Sequence, residues 1–501
     1  MNNVSLFGRS GNSFTVENGK FSSFSGSSDG APRKYILPGF IDAHCHILPT
    51  GLDLAKLQLD DCKTQEDVLQ AVAEWEKTME PGAWLHAVHY DQTKFEGSKH
   101  IVCAQLDAIS STRPILLRHV NGHASIANSA ALKAARVDHN TPDPDGGEFG
   151  RDDSGQLNGV LLEKAHEVVT SAMPEPSLEE MTEAILLAAQ EMSKLGITAA
   201  TDMMTGRWNL EKELMAYHAA AEQGSPVRFR LYVQWATVLH ERKAIQPELL
   251  RELTRQMNPD LCRMEGLKVF ADGAIGSATA AIHSRFRTTG GRGQLIYSEA
   301  NLADILAKID AAGWKCSVHT IGDRSTDLVM DAYEKFDDPT RHRIEHAMIL
   351  SDQQIDRLAN LNCHVTMQPE FLHWFGHAYR AQLEPEISSH LKRVKSCLDK
   401  GIRLSFNSDR PIVGGNPWDG IGAAVNRPEG FVISENIPLE KAIDLYTHGG
   451  ADANSDLGSM GELKEGQWAD YQVYDSEPKP GSSPTQVYRA GELVYDSNTV
   501  P

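Results

Sequence analysis

His44 and His46 flank Cys45 in the segment PGFIDAHCH. Read as a β-strand, the segment sends residues two apart to one face, so both imidazoles point the same way. Two neutral imidazoles at that spacing grip one divalent ion. An isolated H-x-H pair carries little weight, because two polar residues at a strand end account for most copies. Further along the chain, other metal-ligating types stand in or at the ends of strand-like runs. They are Lys268 in GLKVFADG, His319 in KCSVHTIGD, His346 in RIEHA and Asp409 in RLSFNSDRP. Each alone has a bland explanation: capped loops for the two histidines, a helix N-cap for Asp409, a buried ion pair with Asp272 for Lys268. Five strands of one chain with such residues are poorly explained by chance.

Those residues need a scaffold that gathers strand ends. The chain of 501 residues is 41% hydrophobic and 23% charged, enough to bury a large core. Its middle alternates short apolar strands with helical stretches, the pattern of a parallel α/β fold. Strands are expected at 35–47, 198–203, 228–235, 266–273, 315–323, 343–347, 364–370 and 403–409. Helical periodicity lies between most of them, as in SLEEMTEAILLAAQEMSKLG and NLADILAKIDAAG. The reading is an α/β chain folded as a (β/α)8 TIM-type barrel over 35–456, whose active site sits at the C-terminal ends of the strands. Residues 1–34 and 457–501 are β-like, with a hairpin signal at Glu17-Asn18-Gly19, and are expected to pair into a small β-sandwich domain. The stretch 60–175 breaks the alternation. It is read as a large insertion after the first barrel strand, over the active-site mouth, with strands at 84–91 and 114–120 and a long loop at 141–159.

The formal charge of −20 argues against nucleic acid and anionic membranes as partners, since both select basic faces. A small-molecule substrate remains. Seven scattered cysteines without a C-x-x-C pair fit neither a disulfide framework nor a zinc knuckle. With no signal-peptide pattern at the N-terminus and no bilayer-length apolar run, a cytoplasmic location is expected. The oligomeric state is open, with a homodimer among the options.

On these motifs the sequence resembles the amidohydrolase superfamily. PGFIDAHCH is similar to its opening metal-binding strand, and Lys268, His319, His346 and Asp409 fall in the order of strands four, five, six and eight. LRHVNGHASIANSAAL, KVFADGAIGS, VHTIGD, RIEHA and NSDRPIVGGNPWDGI look like the branch that includes N-substituted formamide deformylases. LKEGQWADYQVYD looks like the closing β segment, although Gln467-Trp468 replaces the usual basic pair.

The resemblance implies a metal-dependent hydrolase of a non-peptide carbon–nitrogen bond: an amide, an N-acyl or formamide group, or a cyclic amide. It implies two zinc or similar divalent ions bridged by a carboxylated Lys268. In that reading His44 and His46 hold the buried ion, and His319 and His346 the more exposed one. Such a centre acidifies a water and polarises a carbonyl. Asp409, a ligand as well, is then the catalytic proton shuttle to the leaving nitrogen. Deamination of an amino-heterocycle or opening of a lactone is the enzymatic alternative, and a non-catalytic binding member the alternative of another class.

Around this set, Asp323 follows His319 closely and is expected to orient a ligand histidine. His123 is a candidate to hold a substrate carbonyl, though a helix-start hydrogen bond in GHASIANS explains it equally well. Gln368, Phe371 and Trp374 are candidates to line the pocket. Arg285 or Arg292 is a candidate to bind a substrate carboxylate in bidentate fashion. By alternation Cys45 faces away from the metals, and Glu345 faces away from His346.

Overall fold

The computed structural model describes residues 4–9, 13–26, 34–120, 122–241 and 243–499. Eight strands lie side by side in chain order, all parallel. They are β1 (Phe40–Cys45), β2 (Ile197–Thr205), β3 (Arg228–Gln234) and β4 (Cys262–Phe270). Then come β5 (Lys315–Thr320), β6 (Arg343–His346), β7 (His364–Met367) and β8 (Leu404–Phe406). β1, β6, β7 and β8 are buried along their whole length, as a sheet covered on both faces requires. The intervening helices turn an apolar stripe inward. Leu178–Lys194 buries Met181, Ile185, Ala188 and Met192 at three- and four-residue spacing. Asp352–Leu361 starts in a capping box of Ser351 and Gln354 and stops at Asn362, whose φ of 51° ends the helix. The first and last strands are joined just beyond their ends. The Asp409 N–H donates to the His44 carbonyl (2.8 Å), and the His46 N–H donates to the Arg410 carbonyl (2.7 Å). The fold is the TIM-type barrel that the alternation of elements implies.

The expected first strand, 35–47, is two strands. Lys34–Pro38 leaves the barrel and pairs with Val4–Leu6 and Tyr471–Tyr474 in a five-stranded sheet made from both chain ends. The break falls at Gly39, where a Cβ would lie 2.1 Å from Thr198 Oγ1, so only glycine lets the chain pass there. A separate hairpin of Ser13–Glu17 and Lys20–Ser25 turns at Asn18-Gly19, both in the left-handed region. Phe14, Phe21, Ile36, Tyr471 and Val473 form the core under these end strands.

The chain divides into two compact units, one of residues 1–51 and 181–501, the other of residues 52–180. The second holds a six-stranded mixed sheet from Leu57 to Glu163 with an apolar core on each face. Part of the expected 141–159 loop is ordered as a hairpin. Gly147–Arg151 pairs antiparallel with Leu157–Glu163, and the Asp152 carboxylate accepts the N–H groups of Ser154 and Gln156 to close the turn.

Candidate metal centre

β1 delivers His44, and the residue just past its end is His46. Asp409 lies just past β8 at a φ of 57°, a backbone state fixed by its hydrogen bond to the His44 carbonyl. The result is a compact triad of donors. Asp409 Oδ1 is 3.0 Å from His46 Nε2 and 3.4 Å from His44 Nε2, and the two imidazole planes stand at 88°. One ligand atom from each residue lies within 4.8 Å of the others, close enough to hold a single ion. Burial alone would raise the Asp409 pKa. The His46 hydrogen bond, with the neighbouring imidazoles of His44 and His346, more than offsets this and holds the carboxyl well below the usual range. His44 is pushed down to about 4, chiefly by burial and then by Lys268, so it is a neutral ligand.

His44, His346 and His319 each have an orienting partner. His44 Nδ1–H donates to Glu345 Oε2 at 2.6 Å, which turns its Nε2 lone pair toward Asp409. Glu345 is completely buried and takes four further hydrogen bonds: two from the Arg343 guanidinium and one each from Ser317 and Thr366. Burial raises its pKa, but Arg343 and His44 outweigh that and keep it ionised. The expectation that Glu345 and His346 face apart is therefore corrected. His346 has a φ of 73° and Ala347 of 41°, so strand alternation ends at this point and both side chains serve the centre. The His346 ring lies 4.9 Å from that of His44 and 4.5 Å from that of His319. Its Nδ1 is 3.0 Å from Gln368 Oε1. His319 Nε2–H donates to the Gly273 carbonyl at 3.1 Å, leaving Nδ1 with its lone pair.

Lys268 projects from β4 into the same interior. It is buried, its Nζ has no hydrogen-bond partner, and burial pushes its pKa down to about 8. The ion pair with Asp272 is absent. The Asp272 carboxylate instead accepts from the N–H groups of Ala281, Ile321 and Gly322 and from the Ser325 hydroxyl. An orphaned buried amine and the unpartnered Nδ1 of His46, beside further imidazoles and an ionised carboxylate, make a donor set that fits a bound cation.

The other sequence candidates lie elsewhere or do other work. Asp323 does not touch His319; its carboxylate caps the N–H groups of His283 and Arg324, and the carboxylate near His319 is that of Asp272, at 3.7 Å. Gln368 is wholly buried between His346 and the side chains of Lys392 and Asn407, so it orients a histidine instead of lining a pocket. Phe371 packs in an apolar cluster with Met348, Tyr379 and Val413. Trp374 is 60% exposed and donates from Nε1 to Glu370. Arg285 and Arg292 are exposed, and Arg285 bonds the Gly290 carbonyl. His123 belongs to the 52–180 unit, where its ring meets the Glu163 carboxylate at 3.1 Å. Cys45 donates its thiol to the Thr201 carbonyl, and burial raises its pKa. Sequence reasoning missed Arg343 and Lys392 altogether, because neither stands at a spacing that marks a site.

A (β/α)8 barrel with an H-x-H pair and an aspartate converging at its strand ends has the build of a metal-dependent hydrolase. The profile of the amidohydrolase family matches residues 33–495, and the chain belongs to that family. It is thus a hydrolytic enzyme for carbon–nitrogen bonds other than peptide bonds. It is 30% identical to the Bacillus subtilis protein YtcJ, over 92% of this chain and 89% of that one. It is 27% identical to the N-substituted formamide deformylase of Arthrobacter pascens, over 89% and 84%. Its fold is that of a metal-dependent hydrolase from Pyrococcus horikoshii, with a TM-score of 0.77 at 24% identity, covering 96% of this chain and 99% of that one. Among the described residues, no helix is long and apolar enough to cross a membrane.

Proposed function

We propose that the protein hydrolyses the carbon–nitrogen bond of a small N-acyl, N-formyl or cyclic amide, with Asp409 as the proton shuttle. The observation that carries this is the convergence of His44, His46 and Asp409 within ligand reach. The formamide side of the range is favoured by the likeness to the Arthrobacter pascens deformylase. In this reading the centre holds two divalent ions, zinc in the first instance: one on His44 and His46, the other on His319 and His346, with Asp409 and Lys268 completing the set. When bound, they supply Lewis acidity toward a water and toward the scissile carbonyl.

The chain's own groups do the rest. Asp409 is ionised and fixed by its backbone, so its carboxylate takes the proton of the attacking water and returns it to the leaving nitrogen. Glu345 and Gln368 hold two imidazoles in one orientation, which lowers the reorganisation needed on binding. Burial favours the free amine of Lys268. That amine would add to carbon dioxide, forming an N–C bond and releasing one proton, and the resulting carbamate would supply an anionic oxygen ligand for the ions. The enzyme acts on a small molecule; a homodimer and a cytoplasmic location complete the proposal.

The test is a panel of N-formyl and N-acyl amines assayed with zinc-loaded protein. Release of the free amine supports the reading. Turnover of amino-heterocycles or lactones alone would replace it with the deaminase or lactonase alternative.

A further inference from the structure

We propose that Lys392 is a positioning residue that, through Gln368, locks the His346 side chain in the tautomer with hydrogen on Nδ1 and its lone pair on Nε2. The inference deepens the proposed function, because it matters for the reaction only if His346 holds an ion.

Lys392 lies in the stretch between the helices Pro385–Ser388 and Val394–Asp399 and is completely buried. Its backbone, at a φ of 55°, is held at both ends. Its N–H donates to the Met348 carbonyl at 3.0 Å, and its carbonyl accepts from Arg427 Nη1 at 2.8 Å. The side chain then has two hydrogen-bonded partners, neither of them a carboxylate. Nζ donates to the His346 carbonyl at 2.9 Å and to Gln368 Oε1 at 2.6 Å. A buried lysine without a counter-ion is costly, and so signals a role that a neutral side chain does not fill.

The role follows from donor and acceptor bookkeeping. Lys392 Nζ spends its hydrogens as a donor to two acceptors, so the Gln368 atom facing it is the oxygen. The same answer comes from the far end of the chain of contacts. The Met367 carbonyl only accepts, and Asn407 Nδ2 donates to it at 3.4 Å. Asn407 Oδ1 therefore faces Gln368 Nε2, at 2.6 Å, and Gln368 Oε1 again faces Lys392 and His346. Both ends agree on one orientation of the amide, and the Asn407 end, which rests on a 3.4 Å hydrogen bond, is the weaker anchor. His346 Nδ1, 3.0 Å from that oxygen, has to carry a hydrogen. In the neutral ring, this leaves the lone pair on Nε2. Lys392 also grips the His346 carbonyl, and so fixes both the main chain and the ring of one residue at its left-handed turn.

The test uses full-length protein labelled with ¹⁵N-histidine and stripped of metal, in which two-bond proton–nitrogen correlations report each ring's tautomer. The signal of His346, assigned by its loss in His346→Ala, is expected to show hydrogen on Nδ1. Lys392→Met should mix in the other tautomer and weaken binding of one equivalent of zinc about 10- to 100-fold by equilibrium dialysis. Gln368→Glu keeps an acceptor facing Nδ1 and should retain the tautomer, whereas Gln368→Met should lose it. That pair carries the test if Lys392→Met does not fold. Hydrogen on Nε2 in the wild-type protein overturns the proposal. So does a folded Lys392→Met with an unchanged His346 signal and unchanged zinc affinity. If His346→Ala binds as much zinc as the wild type, the ligand assignment fails instead, and the tautomer measurement still stands.

Discussion

His44 and His346 face each other across the centre with ring centroids 4.9 Å apart, yet they are held by opposite kinds of neighbour. Behind His44 stands Glu345, an ionised carboxylate saturated with donors. Behind His346 stands a neutral amide that is itself bonded to a lysine. A carboxylate on Nδ1 raises the basicity of the opposite nitrogen; an amide beside a cation does so less. In the two-ion reading proposed above, the two halves would grip unequally, tight at His44 and loose at His346. A tightly held ion suits a fixed structural charge, and a loosely held one suits a position that must admit substrate.

The largest expected effect removes the group both halves share. Asp409→Asn should lower kcat by about 10²- to 10⁴-fold; unchanged turnover, measured with zinc content alongside, would exclude Asp409 as the shuttle. Next, Glu345→Gln should weaken the tight ion about 10- to 100-fold. It should also destabilise the fold by about 3–5 kcal/mol, because Arg343 loses its buried counter-charge. Denaturant unfolding and equilibrium dialysis check the two effects separately, and equal affinities for the two ions after this change would blunt the comparison. Lys268→Ala should lose at least one ion, with partial recovery when a short carboxylic acid is added; full zinc content in the untreated variant contradicts a bridging role.

The smallest effect lies outside the centre. Glu370 is buried near Asp419 and Asp42, and burial raises its pKa to about 7. A carboxyl raised in the folded state adds stability below its unfolded pKa, and loses it as pH rises through the folded value. Glu370→Gln should therefore raise stability by about 1–3 kcal/mol at pH 8 and leave it unchanged at pH 4. The opposite pH trend in thermal unfolding contradicts the assignment.

The barrel was legible because its strands are short apolar runs separated by amphipathic helices. The split at Gly39 was not, because YILPGFI is one apolar run and the clash that requires glycine comes from Thr198, remote in sequence. His44, His46 and Asp409 stood out because ligand types recur at strand ends. Glu345 was misplaced because strand alternation presumes extended backbone, and the left-handed turn at His346 carries no residue-type signature. Gln368 was read as pocket lining for want of its partner. Lys392 lies in an irregular stretch, and only the folded chain brings it to Gln368 and the His346 carbonyl.

The most direct test of a metal-dependent hydrolase at His44, His46 and Asp409 is a single titration. Protein stripped by a chelator is titrated with zinc while hydrolysis of an N-formyl amine and bound metal are followed together. The account predicts no turnover without metal, and turnover that rises with the second equivalent and then levels. Full activity in the metal-free protein would contradict it.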